Sequence, residues 1–141
     1  MKRRFNYFIS MLLLISTVPV FAASELVKST PQTVPGATTV DAGAAHKLFE
    51  EEVAFVDLRK EPAWNAGRIP GAIHLDIKKA FSQESLMNEV NTDEAVVFYC
   101  SGIRCPRSAK ASEKALSWGY TKVYYFRGGF PAWQTAGYPV E

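Results

Sequence analysis

From residue 39 onward, short apolar runs alternate along the chain with helix-like segments. The run AVVFY at 95–99 is the clearest strand, because it is apolar throughout and rich in β-branched and aromatic residues. Apolar strands that alternate with helices are typical of a parallel sheet covered on both faces. The predicted strands are 39–40, 53–58, 73–76, 95–99 and 122–126. The predicted helices are 42–51, 77–88 and 107–118, with a last helical turn at 131–135.

The first 22 residues have the layout of a secretory signal peptide. A basic start, Lys2 to Arg4, precedes a mostly apolar stretch at 8–20, and the small residue Ala22 follows at a typical cleavage position. The alternative is a membrane anchor, but the apolar stretch is shorter than the roughly 20 residues that a spanning helix needs. We therefore predict cleavage after Ala22, a periplasmic or secreted protein, and no stable membrane insertion after cleavage.

The mature chain is predicted to hold one folded domain. Residues 23–38 contain two prolines and a glycine without periodicity, which indicates a flexible linker, and the domain is expected at 39–141. The whole chain has a net charge of +2, from 16 basic and 14 acidic residues, and three of the basic residues leave with the signal peptide. The mature chain is therefore near neutral, which argues against nucleic acid or an anionic membrane as a partner.

One of the two cysteines, Cys100, directly follows the strand at 95–99 and precedes a predicted helix. In sheets of this kind, ligands bind beyond the carboxyl ends of the strands. The loop after Cys100 can turn backbone N–H groups toward the sulfur, and the positive end of the next helix faces the same point. Arg104, Arg107 and Lys110 add positive charge, which favours the nucleophilic thiolate. The alternative is a buried structural thiol.

Four segments together resemble the single-domain rhodaneses, a family of sulfurtransferases. They are DLRKE at 57–61, GRIPGAIHL at 67–75, the strand and loop from 96 to 108, and RGGFPAWQTAGYPVE at 127–141. They occur in the family's order, although Arg68 stands where the second segment usually has a histidine. The resemblance implies an α/β fold that is doubly wound, with a mainly parallel five-stranded sheet and helices on both faces.

The same resemblance implies a reaction. Cys100 would take the outer sulfur of a small anionic donor such as thiosulfate, become a persulfide, and pass the sulfur to cyanide or a thiol. No metal or organic cofactor is implied, and Asp57 and Arg59 would be supporting residues rather than catalysts. The donor or the persulfide would be held by the loop residues Ser101, Gly102, Ile103, Arg104, Cys105, Arg107 and Ser108.

The loop departs from the family's usual pattern, in which four residues separate the cysteine from an arginine. Cys105 occupies that arginine's position, and Arg107 follows two positions later, so the loop is enlarged and resembles variants with the pattern Cys-x-Gly-x-x-Cys-x-Arg-Ser. Three roles of Cys105 are open: a resolving thiol that attacks a persulfide or sulfenic acid on Cys100, one half of a regulatory or protective disulfide, or a small residue that fits the loop. The first two roles call for a periplasmic thiol reductant as a partner.

Other classes of protein compete with the sulfurtransferases. A phosphatase or arsenate reductase needs an arginine six positions after its cysteine, where this chain has Pro106 or Ala111. A thiol–disulfide oxidoreductase usually carries Cys-x-x-Cys, which this spacing does not match. A structural zinc site is not expected, because two cysteines with distant histidines lack ligand spacing. A redox-regulated or non-catalytic sulfur-carrier or binding module that uses Cys100 and Cys105 stays open as the alternative function.

Overall fold

The computed structural model describes residues 29–141, and the predicted signal peptide lies outside this range. Within it, five strands form one sheet in the order β1-β5-β4-β2-β3, and every pairing is parallel. The strands are β1 (Thr38–Thr39), β2 (Ala54–Asp57), β3 (Ile73–His74), β4 (Ala95–Tyr99) and β5 (Lys122–Phe126). The helices are α1 (Ala42–Glu50), α2 (Glu61–Ala66), α3 (Gln83–Met87), α4 (Arg107–Ser117) and α5 (Gly129–Thr135). The expected α/β fold is confirmed, and no helix in this part of the chain is long and apolar enough to cross a membrane.

The two faces of the sheet bury separate cores, because successive side chains of a strand point to opposite faces. On β4, Val96 and Phe98 pack in one core with residues of α3 and α4, whereas Val97 and Tyr99 pack in the other with residues of α1 and α5. All four side chains are fully buried, and each contributes about 1.5–3 kcal/mol to folding. The carboxyl end of β4 is therefore anchored from both faces of the sheet.

The ends of two helices follow from local chemistry. The carboxylate of Asp41 accepts a hydrogen bond from the backbone N–H of Ala44 at 2.8 Å and so caps α1. The helix α4 is followed by Gly119, whose φ of 95° is a conformation that glycine adopts most easily. Both helices lie where the sequence predicted them.

The predicted helix at 77–88 is wrong in its first half. The helix α3 is short, and it begins after Ser82, whose hydroxyl accepts a hydrogen bond from the backbone N–H of Ser85. The preceding residues form a turn over the backbone carbonyl of Asp76, which accepts hydrogen bonds of 2.8–3.1 Å from the N–H groups of residues 79–81. The bond from Phe81 departs from helical spacing, because in a helix that begins at residue 77 this N–H would bond to the carbonyl of Ile77, and the chain therefore leaves the turn before α3 begins.

The flexible linker predicted for residues 23–38 is also wrong for residues 30–37, which we call the strap. Val34, in the middle of the strap, is 2% exposed and packs in a small core with Ala109 and Tyr125. The strap therefore covers part of α4 and β5 and belongs to the folded domain.

Candidate active site

Cys100 follows the last residue of β4 at the carboxyl edge of the sheet, and 1% of it is exposed. Its carbonyl oxygen accepts a hydrogen bond of 2.9 Å from the backbone N–H of Phe130, in the first turn of α5. The backbone of Cys100 is thus fixed between the central strand and a helix. The cysteine stands at the end of the strand, where the sequence placed it.

The loop after Cys100 is compact because two glycines let separate stretches of backbone approach each other. Gly102 has a φ of 115°, and its carbonyl oxygen accepts a hydrogen bond of 3.0 Å from the N–H of Cys105. From the other side, Gly129 has a φ of 59° and lies so close to the carbonyl of Cys100 that a side chain would collide with it. This contact gives a physical reason for a glycine in the C-terminal RGGF segment.

Cys100 and Cys105 are joined by a disulfide across this loop, with their Cα atoms 6.2 Å apart. The Cα separation lies in the ordinary range for a disulfide. Cys105 is half-buried, whereas Cys100 is almost completely covered. The second sulfur therefore reaches the first, as both redox roles of Cys105 require, and Cys105 is the more accessible of the two.

The other predicted loop residues differ in what they offer to a ligand. Ser101 is exposed, and its Oγ lies 4.0 Å from the Sγ of Cys100. Ile103 and Arg104 are exposed as well, with 51% of Ile103 open to solvent. Ser108 is 1% exposed in the first turn of α4, so its side chain is as deeply covered as that of Cys100.

Arg107 forms a largely buried ion pair. Its Nη1 donates to the Oδ1 of Asp76 and to the backbone carbonyl of Leu58, each at 3.0 Å. The carboxylate of Asp76 offsets the charge of the guanidinium, which corrects the expectation that this charge is free to face an anion on Cys100. Arg107 instead ties the start of α4 to the segments that follow β2 and β3.

The pKa of Asp76 lies below its usual value. Burial acts to raise this pKa, but the backbone N–H of Lys78, which donates to Oδ1 at 3.0 Å, and the charge of Arg107 outweigh burial. A carboxyl group whose pKa is lowered by folding stabilises the fold at neutral pH. This contribution is lost as the pH falls from the pKa range of the unfolded chain through the lower pKa of the folded state.

We expect Asp76→Asn to lower the stability at neutral pH and to flatten the decrease of stability in acid. The measurement is urea unfolding of both proteins at several pH values, from about pH 7 to about pH 3. Asp93→Asn, at an exposed position, is the matched control. An identical pH dependence in Asp76→Asn and the unsubstituted protein would contradict the expectation.

Behind the loop, Asp57 and Arg59 form a second buried pair. Asp57 is fully buried, Arg59 is 5% exposed, and their side chains make three contacts of 2.6–3.0 Å. Arg59 also donates to the carbonyl of Gly67 at 2.7 Å, and its guanidinium lies 4.4 Å from the ring centroid of Phe130. Burial, together with the charge of Asp57, raises the pKa of Tyr99. These contacts join β2, β4 and α5 beneath Cys100, a geometry that suits a supporting role.

The strap holds the active-site loop, a contact that the sequence did not reveal. Thr30 donates twice to the carbonyl of Ile103, from its N–H at 2.9 Å and from its hydroxyl at 2.8 Å. Its own carbonyl accepts from Arg127 at 3.0 Å, and its hydroxyl accepts from Tyr125 at 3.3 Å. The partners of Thr30 are at least 73 residues away along the chain, so no local pattern marks this residue.

We expect Thr30→Val to loosen the loop. The substitution keeps the side-chain shape but removes the hydroxyl that bonds to Ile103, and the free energy of unfolding should fall by about 1–2 kcal/mol. The Cys100–Cys105 disulfide should also be reduced faster by dithiothreitol. Thr33→Val, at an exposed position of the strap, is the control, and equal reduction rates in the two variants would refute a role of the strap at the loop.

A basic groove of about 430 Å³ borders the loop. Pro106, which lines it, directly follows Cys105 in the chain. Its lining residues are Ile77, Lys78, Pro106, Arg107, Lys110 and Lys114. The three lysines are exposed, so the groove attracts anions. Within residues 29–141, no three side chains of His, Cys, Asp or Glu are grouped as metal ligands would be.

The fold and the site define an α/β domain with a candidate nucleophilic cysteine at the carboxyl end of the central strand. Residues 41–136 match the Rhodanese-like domain family, and the chain belongs to this family. The thiosulfate sulfurtransferase GlpE of Pseudomonas fluorescens (strain SBW25) is 33% identical over 97 residues, covering 69% of this chain and 84% of that protein. The family and this relative support a rhodanese-type sulfurtransferase activity in general terms.

Two solved structures show the same fold. Human single-domain sulfurtransferase TSTD1 has a TM-score of 0.60 and 22% identity, with 70% of this chain and 96% of that chain covered. A protein of unknown function from Rhodopseudomonas palustris, described as a possible tyrosine phosphatase, has a TM-score of 0.62 and 28% identity. In that comparison, 79% of this chain and 99% of the other chain are covered.

Proposed function

We propose that the chain transfers a sulfane sulfur from a small anionic donor, such as thiosulfate, to cyanide or a thiol through a persulfide on Cys100. The observation that carries this proposal is the place of Cys100, at the carboxyl end of the central strand and at the start of the loop that leads to α4. Membership in the Rhodanese-like domain family supports the class of reaction.

The reaction begins from the reduced state, in which the disulfide is open. The thiolate of Cys100 attacks the outer sulfur of thiosulfate, the bond between the two donor sulfurs breaks, and sulfite leaves with the bonding electrons. The acceptor then attacks the outer sulfur of the persulfide. The bond between that sulfur and Cys100 breaks, and the thiolate of Cys100 is restored for another cycle.

The surroundings of Cys100 favour the anionic states of this cycle. The loop lies at the N-terminal end of α4, an 11-residue helix, where the helix dipole and unpaired N–H groups attract negative charge. Arg104 and the lysines of the basic groove add positive charge at the approach to the loop. A small divalent anion is therefore a better match to this surface than a neutral or cationic donor.

The place of action is a further part of the proposal. A signal-peptide pattern at the N-terminus and a disulfide between the two cysteines both support an oxidising compartment such as the periplasm. A redox-regulated or non-catalytic module that uses Cys100 and Cys105 is the second candidate, and the disulfide that joins them is the observation that favours it.

A burst of sulfite tests the proposed function. The reduced protein, freed of reductant under anaerobic conditions, is mixed with thiosulfate, and sulfite is measured before any acceptor is added. Nucleophilic attack by Cys100 should release one sulfite for each chain. In Cys105→Ser, which cannot form the disulfide with Cys100, continued thiocyanate formation after addition of cyanide would separate an enzyme from a carrier, and absence of the burst would reject the proposed function.

A phosphatase function is not proposed, although one structural neighbour is described in that way. A phosphatase loop needs an arginine that clamps the tetrahedral anion with two parallel hydrogen bonds. Counted from Cys100, the required position is Pro106, and Arg107 is already bonded to Asp76.

A further inference from the structure

Cys105 lies close enough to Cys100 for its thiolate to attack a persulfide formed on that residue. The disulfide brings the two Sγ atoms together, and the loop between them is closed by the hydrogen bond from the backbone N–H of Cys105 to the carbonyl of Gly102. Cys105 also stands two residues before the first residue of α4, a position at which the positive end of a helix stabilises a thiolate.

We propose that Cys105 resolves the persulfide on Cys100 and releases inorganic sulfide, so that the chain reduces the donor's sulfane sulfur as well as transferring it. This inference rests on the proposed function, because it needs the persulfide. It gives the enlarged loop a chemical purpose: the second cysteine replaces an external acceptor.

The step balances in atoms and electrons. The thiolate of Cys105 attacks the Sγ of Cys100, the bond between that Sγ and the outer sulfur breaks, and the outer sulfur leaves as hydrosulfide after taking up one proton. The two cysteines are oxidised to the disulfide, and the outer sulfur is reduced to sulfide. The product state of the protein is the disulfide that the structure contains.

An external dithiol must then reduce the disulfide, and the geometry sets the order of attack. Cys100 is 1% exposed, whereas Cys105 is half-buried beside the exposed residues Arg104 and Pro106. The external thiolate therefore attacks the Sγ of Cys105, and Cys100 leaves as the thiolate. In this order, Cys100 is already free as a thiolate while the reductant is still bound to Cys105 in a mixed disulfide.

A single-turnover experiment on the whole chain tests the proposal. Reduced protein, freed of reductant under anaerobic conditions, is mixed with an equimolar amount of thiosulfate, and sulfite, sulfide and free thiols are measured. The unsubstituted chain should release one sulfite and one sulfide and should lose both thiols. Cys105→Ser should release sulfite, retain the added sulfur in its intact mass, and form no sulfide above a blank without protein. Cys105→Ala, which lacks any side-chain nucleophile, should behave in the same way.

The outcomes separate the two proposals. Sulfite release from the unsubstituted chain without sulfide, with the sulfur retained on the protein, would overturn the role of Cys105 and leave the proposed function intact. Sulfide formation by Cys105→Ser and Cys105→Ala at the rate of the unsubstituted chain would also overturn it. Absence of sulfite from all three proteins would overturn the proposed function, and the resolving step with it.

A separate experiment tests which cysteine the external thiolate attacks first. Disulfide-bonded protein is treated with glutathione, quenched in acid, and digested for peptide mapping. The first mixed disulfide should be found on Cys105, and a first adduct on Cys100 would overturn the order.

Discussion

Cys100→Ser should abolish sulfur transfer, and the rate of sulfite release from thiosulfate should fall by about 10³-fold or more. A serine hydroxyl has nearly the size of the thiol, but it is not ionised near neutral pH and forms no persulfide. The loss should appear both in the sulfite burst and in thiocyanate formation with cyanide as the acceptor.

Stability is the quantity to control in this experiment, because Cys100→Ser also removes the disulfide. Cys105→Ser removes the same disulfide and leaves Cys100 in place. The two variants should therefore have similar midpoints of urea unfolding, and they should differ in the sulfite burst. Sulfite release by Cys100→Ser at the unsubstituted rate would show that another group is the nucleophile.

Arg59→Leu should lower the free energy of unfolding by about 3–5 kcal/mol, because it leaves the buried carboxylate of Asp57 without its charged partner. It also removes the hydrogen bond to Gly67 and the contact with the ring of Phe130. Urea unfolding followed by tryptophan fluorescence measures the loss, since Trp133 is in the adjoining core.

Arg68→Leu is the matched control for Arg59→Leu. Arg68 also pairs with a carboxylate, Glu141 at 2.8 Å, and also lies over an aromatic ring, that of Trp64. This pair is open to solvent, and its removal should cost much less. The double variant Asp57→Asn, Arg59→Leu should recover part of the loss, because no buried charge is then left unpaired. Equal losses in Arg59→Leu and Arg68→Leu would show that burial does not control the strength of the pair.

The central strands could be predicted from the sequence because they are buried on both faces and therefore apolar at nearly every position. The run from Ala95 to Tyr99 coincides with β4, and the run from Lys122 to Phe126 coincides with β5. The place of Cys100 follows from the first of these runs. The bounds predicted for α1 and α4 agree with the structure to within one residue for a similar reason, since helix ends depend on nearby residues such as Asp41 and Gly119.

Sequence reasoning was weaker where short elements depend on distant contacts. The helix α2, at Glu61–Ala66, was not predicted; it is six residues long, and none of them is buried. The turn after β3 was taken as helix, because nothing local shows that the carbonyl of Asp76 would capture its N–H groups. The last helix, expected at 131–135, begins at Gly129, where the backbone contacts Cys100.

By itself, the sequence determined the alternation of strands and helices, the parallel arrangement of the sheet, and the position of a cysteine at the end of a central strand. These properties depend on the order of apolar and polar residues, which is local. Only the tertiary structure decided that Arg107 pairs with Asp76, that Thr30 holds the loop at Ile103, and that the two cysteine sulfurs meet. Asp76 and Arg107 are 31 residues apart, and Thr30 and Ile103 are 73 residues apart. In all three cases the contact depends on how the fold brings the two residues together.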